Sequence, residues 1–86
     1  MSGINNKYHS TLEKLFSKYA PKSIYESRTT AKYIWRNSCE DYLIVKSSYS
    51  TEQDIIIVTT DKNGRNETVT RSNMKHLEEI VSRFML

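Results

Sequence analysis

The first segment of the chain has apolar side chains at helical spacing. Between residues 5 and 19 they recur at steps of four, three, one and three residues, at Tyr8, Leu12, Leu15, Phe16 and Tyr19. This spacing places them on one face of an amphipathic helix. Pro21 disfavours a helical conformation in Ala20, so we expect the helix to end there.

The next segment suggests a short strand followed by a second helix. Residues 22–27 are predicted to be extended. Thr29 or Thr30 can cap a helix that runs to about Asn37, because a threonine hydroxyl accepts a hydrogen bond from an amide of the first turn. This helix would carry its apolar side chains on two adjoining faces, with Tyr33 and Ile34 on one and Trp35 on the other.

The centre of the chain has the pattern of antiparallel strands. Residues 41–49 begin with an apolar run that then alternates with polar residues, and residues 54–60 are almost entirely β-branched, as expected of a central strand. A turn is predicted at residues 50–53. The Asn63-Gly64 pair favours a tight hairpin because both residues readily adopt positive φ angles, and residues 67–70 then form a returning strand.

The C-terminal segment again has helical periodicity. Ser72 or Asn73 can cap a helix whose apolar positions lie three or four residues apart along one face, at Met74, Leu77, Ile80, Val81 and Phe84. The predicted order is α-β-α-β-β-β-α. This is an α+β fold with a single antiparallel sheet of three to four strands and three helices. No repeat or linker interrupts the pattern, so residues 1–86 are expected to form one domain, with the first and last helices on one face of the sheet.

Composition narrows the class of protein further. The chain has 86 residues, 37% of them hydrophobic and 27% charged, which is typical of a globular domain with one small core. Cys39 is the single cysteine, so neither an internal disulfide nor a multi-thiolate zinc site is expected. A polar N-terminus and the lack of an apolar run of about 20 residues favour a cytoplasmic protein, in the bacterial host if a phage encodes it.

No motif for catalysis stands out. His9 and His76 lie outside any recognisable nucleophile or metal motif, and a buried or unreactive thiol is the favoured interpretation of Cys39. Gly64 belongs to the predicted hairpin and Gly3 to the terminus, so neither forms a phosphate-binding loop. The chain is therefore predicted to be a binding protein and not an enzyme, with no cofactor, no metal and no small-molecule substrate.

Several short segments resemble the uracil-DNA glycosylase inhibitors, small phage-type and staphylococcal-type proteins that block a host DNA-repair enzyme by imitating DNA. Residues 23–27 resemble the Glu-Ser strand that follows the first helix of that family. Residues 43–49 and 55–61 resemble its sheet strands, and residues 61–66 its last hairpin. The helix over residues 73–86 resembles the ending of the staphylococcal type. The resemblance covers most of the chain.

This resemblance implies a function and a set of site residues. Glu26 would stand in for a DNA phosphate and accept charge-assisted hydrogen bonds from the enzyme. An apolar pocket would capture the leucine that the enzyme inserts into the duplex. The partner-binding residues would be Glu26, Ser27, Ile24, Tyr25 and Asp61, and the pocket would be lined by Ile34, Leu43, Val45, Ile55 and Ile57. The alternative is that these five apolar residues form part of the core.

The charge pattern does not by itself choose the partner, because the basic first part of the chain admits contact with phosphates whereas residues 40–67, with three basic and six acidic side chains, would repel them. The net charge is +3, and residues 1–39 carry seven basic and two acidic side chains. Glycosylase inhibitors of this family are acidic, whereas here Lys32 and Arg36 occupy the segment that is acidic in the phage type. The alternative function is a small basic nucleic-acid-binding or regulatory module. A phage-type inhibitor of another enzyme on the same scaffold is a third possibility.

Overall fold

The structure is a computed structural model that describes residues 6–48 and 54–86, with the side chains of residues 6–10 left out. The turn predicted at residues 50–53 lies outside the described residues. Within the described part of the chain, no helix combines the length and the apolar character needed to cross a membrane.

Five strands form one antiparallel sheet, and each strand pairs with the next along the chain. The elements are α1 (Asn6–Lys18), β1 (Ser23–Glu26), β2 (Thr30–Arg36), β3 (Tyr42–Ser48), β4 (Asp54–Thr60), β5 (Thr68–Asn73) and α2 (Leu77–Met85). A short 3-10 helix at Met74–His76 joins β5 to α2. The predicted fold of three helices with three to four strands is therefore wrong.

The error lies in the segment from Thr30 to Arg36, which is a strand and not the predicted second helix. Its buried residues are Ala31, Tyr33 and Trp35, which alternate with more exposed neighbours. A period of two residues is the signature of a strand with one face on a core, and aromatic residues favour strands. Thr30 begins this strand and caps no helix.

The predicted helices at the two ends of the chain are confirmed. Both pack against the same face of the sheet, where α1 contributes Leu12 and Leu15 and α2 contributes Leu77 and Val81. Asn73, one of the two predicted caps, caps the 3-10 helix, where its side chain accepts a hydrogen bond of 3.1 Å from the Lys75 amide. The α-helix itself begins three residues later than predicted, after His76, which makes no side-chain cap hydrogen bond. The helices are also joined at the surface, where Lys18 Nζ donates a hydrogen bond of 3.0 Å to the Glu78 carboxylate and the pKa of Lys18 is raised.

Candidate functional site

The candidate site is the face of the sheet against which neither helix packs. Its side chains alternate along each strand with the buried core residues. We call it the helix-free face. It contains two rows of residues that are opposite one another in the strand register, the apolar row and the basic row, and a group of residues around Tyr42, the Tyr42 cluster.

The apolar row crosses the middle of the sheet. Its members are Ile34, Ile44, Val58 and Val69, each directly opposite the next on neighbouring strands. Val58 is only 5% exposed although it lies outside the helix-side core, whereas Val69 on β5 is 62% exposed. The row therefore forms an apolar band that is buried at Val58 and exposed to solvent at Val69, on the β5 edge.

The basic row lies next to the apolar row, toward the turn that joins β1 to β2. It consists of Tyr25, Lys32, Lys46, Ile56 and Arg71, again in direct register. Lys32 is directly opposite Lys46, a like-charge pair that disfavours strand pairing. The ammonium group of Lys32 lies 4.8 Å from the centre of the Tyr25 ring. Cations and an exposed aromatic ring therefore occur together.

The Tyr42 cluster lies on the other side of the apolar row. Arg36 is directly opposite Tyr42, with its guanidinium carbon 4.9 Å from the centre of that ring. Lys22, which precedes β1, places Nζ 5.8 Å from the same centre. Both distances fall within the range of cation–π attraction. This cluster repeats the combination of cation and tyrosine found in the basic row.

The helix-free face has a strong excess of positive charge. Its basic side chains are Lys22, Lys32, Arg36, Lys46 and Arg71. Among the described strand residues on this face, Asp54 is the only carboxylate, and it lies opposite Asn73, beyond the basic row at the end of β4. Glu40, in the turn between β2 and β3, also approaches this face, with its carboxylate 3.9 Å from the Arg36 guanidinium. The five basic side chains still outnumber the nearby carboxylates, an excess of positive charge that favours anions.

A cavity of about 750 Å³ adjoins the basic row at the end of the sheet. Its walls include Tyr25, Lys32, Lys46, Ile56 and Arg71, and also Glu26 at the end of β1. This volume is within the range of pockets that hold small molecules or parts of larger ligands. Apolar, cationic and hydroxyl groups line it together with the carboxylates of Glu26 and Asp54, so it offers both apolar contacts and hydrogen-bonding groups to a ligand.

The predicted partner-binding residues of β1 point to different sides of the sheet. Glu26 and Ile24 are opposite Ala31 and Tyr33, so they project on the helix side of this edge strand, whereas Tyr25 projects onto the helix-free face. Ile24 is 46% and Tyr25 55% exposed, and Glu26 is also exposed. Glu26 and Tyr25 both line the cavity.

Ser27 organises the turn between β1 and β2. Its hydroxyl lies 2.9 Å from the Thr30 hydroxyl and accepts hydrogen bonds from the amides of Thr29 and Thr30 at 3.3 and 3.1 Å. The Ser27 side chain also lines the cavity, but its hydrogen bonds are made within the turn and stabilise it. A role for Ser27 in binding a partner stays a prediction.

The five residues predicted to line an apolar pocket are not gathered around one cavity. Leu43, Val45, Ile55 and Ile57 belong to the helix-side core, where none is more than 6% exposed. Ile34 lies on the opposite face, in the apolar row. Ile55 alone of the five is among the residues that line the cavity.

Asp61 stabilises the loop between β4 and β5. Its carboxylate accepts hydrogen bonds from the amides of Arg65 and Asn63 at 2.8 and 2.9 Å, and from the Asn66 side chain at 2.8 Å. These bonds, that from Arg65 foremost, lower the pKa of Asp61. Gly64 in the same loop has a positive φ of +75°, as predicted, but the predicted tight Asn63-Gly64 hairpin is wrong, because Asn63 does not have a positive φ and residues 61–67 form a longer loop between β4 and β5.

Sequence reasoning missed Lys46, Ile56 and Arg71, and it assigned Lys32 to a helix. They become neighbours only when strands that are distant in the chain pair in register. The sequence of residues 30–36 did contain a signal for a strand on this face. In that segment, Lys32, Ile34 and Arg36 alternate with the buried residues. Recognising that segment as a strand would have placed these three residues on the helix-free face.

Residues suited to metal binding are not gathered anywhere in the described chain. No group of three or more His, Cys, Asp or Glu residues there could hold a metal ion. Cys39 is exposed in the turn between β2 and β3, and His76 is exposed in the 3-10 helix. The side chain of His9 is outside the described residues.

The fold and the face define a class of small α+β proteins, in which a five-stranded antiparallel sheet is covered by helices on one side and is basic and partly apolar on the other. In comparisons with known proteins, no family model, curated protein or solved structure matches this chain. Its function therefore has to be inferred from its own residues.

Proposed function

We propose that the protein binds single-stranded nucleic acid on the helix-free face. The observation that carries this proposal is the direct opposition of Lys32 and Lys46, with Arg71 in the same row. Like charges directly opposite one another cost stability. A phosphate between them would neutralise that repulsion and release counterions, which is the main source of affinity in nucleic-acid binding.

The aromatic residues favour single strands over duplexes. Tyr25 and Tyr42 each lie beside a cation, at opposite ends of the face, and Tyr25 is 55% exposed. Unpaired bases can stack on such rings while the neighbouring cations bind the backbone, whereas the bases of a duplex are already stacked on one another. The apolar row between the tyrosines gives further bases a surface to contact.

The test is fluorescence anisotropy with labelled DNA and RNA oligonucleotides about 12 nucleotides long, within the site size of comparable single-strand modules. We expect binding that weakens as salt is raised. The double variant Lys32→Ala, Lys46→Ala should bind at least about tenfold more weakly.

A matched control is the double variant Lys14→Ala, Lys75→Ala. It removes the same number of charges from α1 and the 3-10 helix. Its affinity should stay close to that of the wild type. The proposal fails if both double variants bind alike, if duplex of the same length binds as tightly as single strands, or if nothing binds at low salt.

A second candidate function is inhibition of uracil-DNA glycosylase, which the resemblance implies. The observation that favours it is the position of Glu26, which is exposed at the end of the edge strand β1 and lines the cavity together with Ile55 and Ile56. In this proposal the carboxylate imitates a phosphate, and the cavity accepts an apolar side chain of the enzyme. The cations that also line the cavity favour the first proposal.

A glycosylase assay separates the two proposals. A protein that coats DNA also slows the enzyme, so the uracil-containing substrate is used in large excess over a protein equimolar with the enzyme. Inhibition that persists under these conditions and is lost in Glu26→Ala would support the inhibitor. Full activity of the glycosylase under the same conditions would exclude it.

A further inference from the structure

The β5 edge of the sheet is open to pairing. β5 (Thr68–Asn73) pairs with β4 on one side, and no described segment pairs with it on the other. Residues Thr68 to Arg71 are exposed, and Val69 is 62% exposed. Unpaired amide and carbonyl groups along an exposed edge form a template for another strand.

This edge lacks most of the features by which proteins block such pairing. β5 has six residues, with no proline and no charged side chain toward the helices. The other edge strand, β1, has only four residues and carries Glu26 on its helix side. β5 is therefore the edge better suited to accept a strand.

The sequence around β5 indicates which strand would fit. The segment Glu67-Thr68-Val69-Thr70-Arg71 has an uncharged centre and opposite charges at its two ends. When two copies are placed antiparallel about a two-fold axis at Val69, Val69 faces Val69 and Thr68 faces Thr70. Glu67 of each copy then faces Arg71 of the other.

We propose that two copies of this chain pair through β5, in the register centred on Val69, to form a ten-stranded sheet. Opposite charges and β-branched residues across a strand pair are favourable contacts, and a two-fold axis makes every contact twice. The exposed Val69 side chains would cover each other. The single charged side chain of β5, Arg71, would meet a carboxylate in place of solvent.

The dimer would also unite the two helix-free faces. In an antiparallel pair with its two-fold axis perpendicular to the sheet, both faces lie on the same side. The apolar rows would then join at Val69. This proposal does not depend on nucleic-acid binding, because the contacts between the copies are made by residues 67–71, of which only Arg71 also belongs to the basic row.

The test measures molar mass by light scattering and analytical ultracentrifugation on the full chain, without nucleic acid, from low micromolar to submillimolar concentration. We expect a monomer–dimer equilibrium for the wild type. Glu67→Arg places arginine opposite Arg71, and Arg71→Glu places glutamate opposite Glu67. Each variant alone should dimerise at least tenfold more weakly, a loss of about 1.4 kcal/mol.

Mixing the two variants in equal amounts is the decisive measurement. In the mixed dimer both charge pairs are again complementary, so the affinity should return to near the wild-type value. A variant that merely unfolds could not be rescued in this way. Circular dichroism of each variant checks its fold independently.

The control is Glu26→Arg, which makes the same charge change on the other edge of the sheet and should leave dimerisation intact. The proposal is overturned if the wild type remains monomeric throughout. It is also overturned if Glu26→Arg dissociates the dimer, or if the mixture of the two β5 variants dimerises no better than either alone.

Discussion

The indole Nε1 of Trp35 donates a hydrogen bond of 2.7 Å to the backbone carbonyl of Tyr19. Trp35 is fully buried on β2, and Tyr19 directly follows α1. The carbonyl groups at the end of a helix lack partners within the helix, so this bond satisfies a polar group there. It also fixes the end of α1 on the sheet.

Trp35→Phe should lower the free energy of unfolding by about 1–3 kcal/mol. The phenyl ring keeps part of the apolar contact with Phe16 but removes the donor for the Tyr19 carbonyl and leaves some space in the core. Urea denaturation followed by far-ultraviolet circular dichroism measures the change. Tyr25→Phe, at an exposed position, is the control and should change stability by less than about 0.5 kcal/mol.

Two turn residues with positive φ angles should respond to substitution in opposite directions. Gly64→Ala, at a φ of +75°, should destabilise by about 1 kcal/mol. A Cβ atom at Gly64 meets nothing within 4 Å, so the cost comes from the backbone alone. Glu40→Gly, at a φ of 68°, should stabilise by about 0.5 kcal/mol, because the relief of backbone strain exceeds the small loss of the exposed ion pair between Glu40 and Arg36, whose atoms are 3.9 Å apart. Thermal and urea unfolding test both, and equal signs would contradict this explanation.

Asp61 should stabilise the protein at neutral pH but not in strong acid. Hydrogen bonds lower the pKa of Asp61 from its ordinary value of 3.8, so its contribution is fully present above that value and is lost as pH falls through the lower folded-state pKa. Asp61→Ala should therefore reduce Tm at pH 7, and the difference from the wild type should shrink below 3.8. A difference that grows in acid would show the sign to be wrong.

Lys46 should contribute to the salt dependence of binding if the helix-free face holds the backbone of a single strand. Removing one phosphate contact makes the slope of log affinity against log salt less steep by about 0.7. Anisotropy titrations of Lys46→Ala at several salt concentrations measure this slope. Lys62→Ala, in the loop between β4 and β5, should leave the slope unchanged, and equal effects of both variants would contradict a contact at Lys46.

Tyr25 should act through its ring and not through its hydroxyl. Tyr25→Ala should weaken binding of single strands by about 1–3 kcal/mol, the range for loss of one stacked base. Tyr25→Phe keeps the ring and should bind like the wild type. If Tyr25→Phe weakens binding as much as Tyr25→Ala does, the hydroxyl and not stacking is responsible.

The parts of the fold that were predictable from the sequence have strong local patterns. The helical spacing from Leu12 to Tyr19, the β-branched run over residues 54–60 and the apolar steps from Met74 to Phe84 each match the observed element. The Gly64 turn also follows from local conformational preference. Each of these signals is contained within a single element.

Residues 30–36 show why local pattern was not enough. A threonine beside alanine and apolar residues suits a capped helix, yet the same residues alternate as a strand requires. Pairing with β1 on one side and β3 on the other makes the strand the stable state, since it satisfies the backbone of all three strands and buries Trp35. Neither neighbour is visible in the segment itself.

The sequence alone determined the two terminal helices, the central strands and the excess of positive charge. Only the tertiary structure decided which charges share a face, because a shift of one residue in strand register moves every side chain to the other side of the sheet. Lys32, Lys46 and Arg71 come from three strands and form one row through that register. Long-range pairing, which no local pattern encodes, therefore created the candidate site.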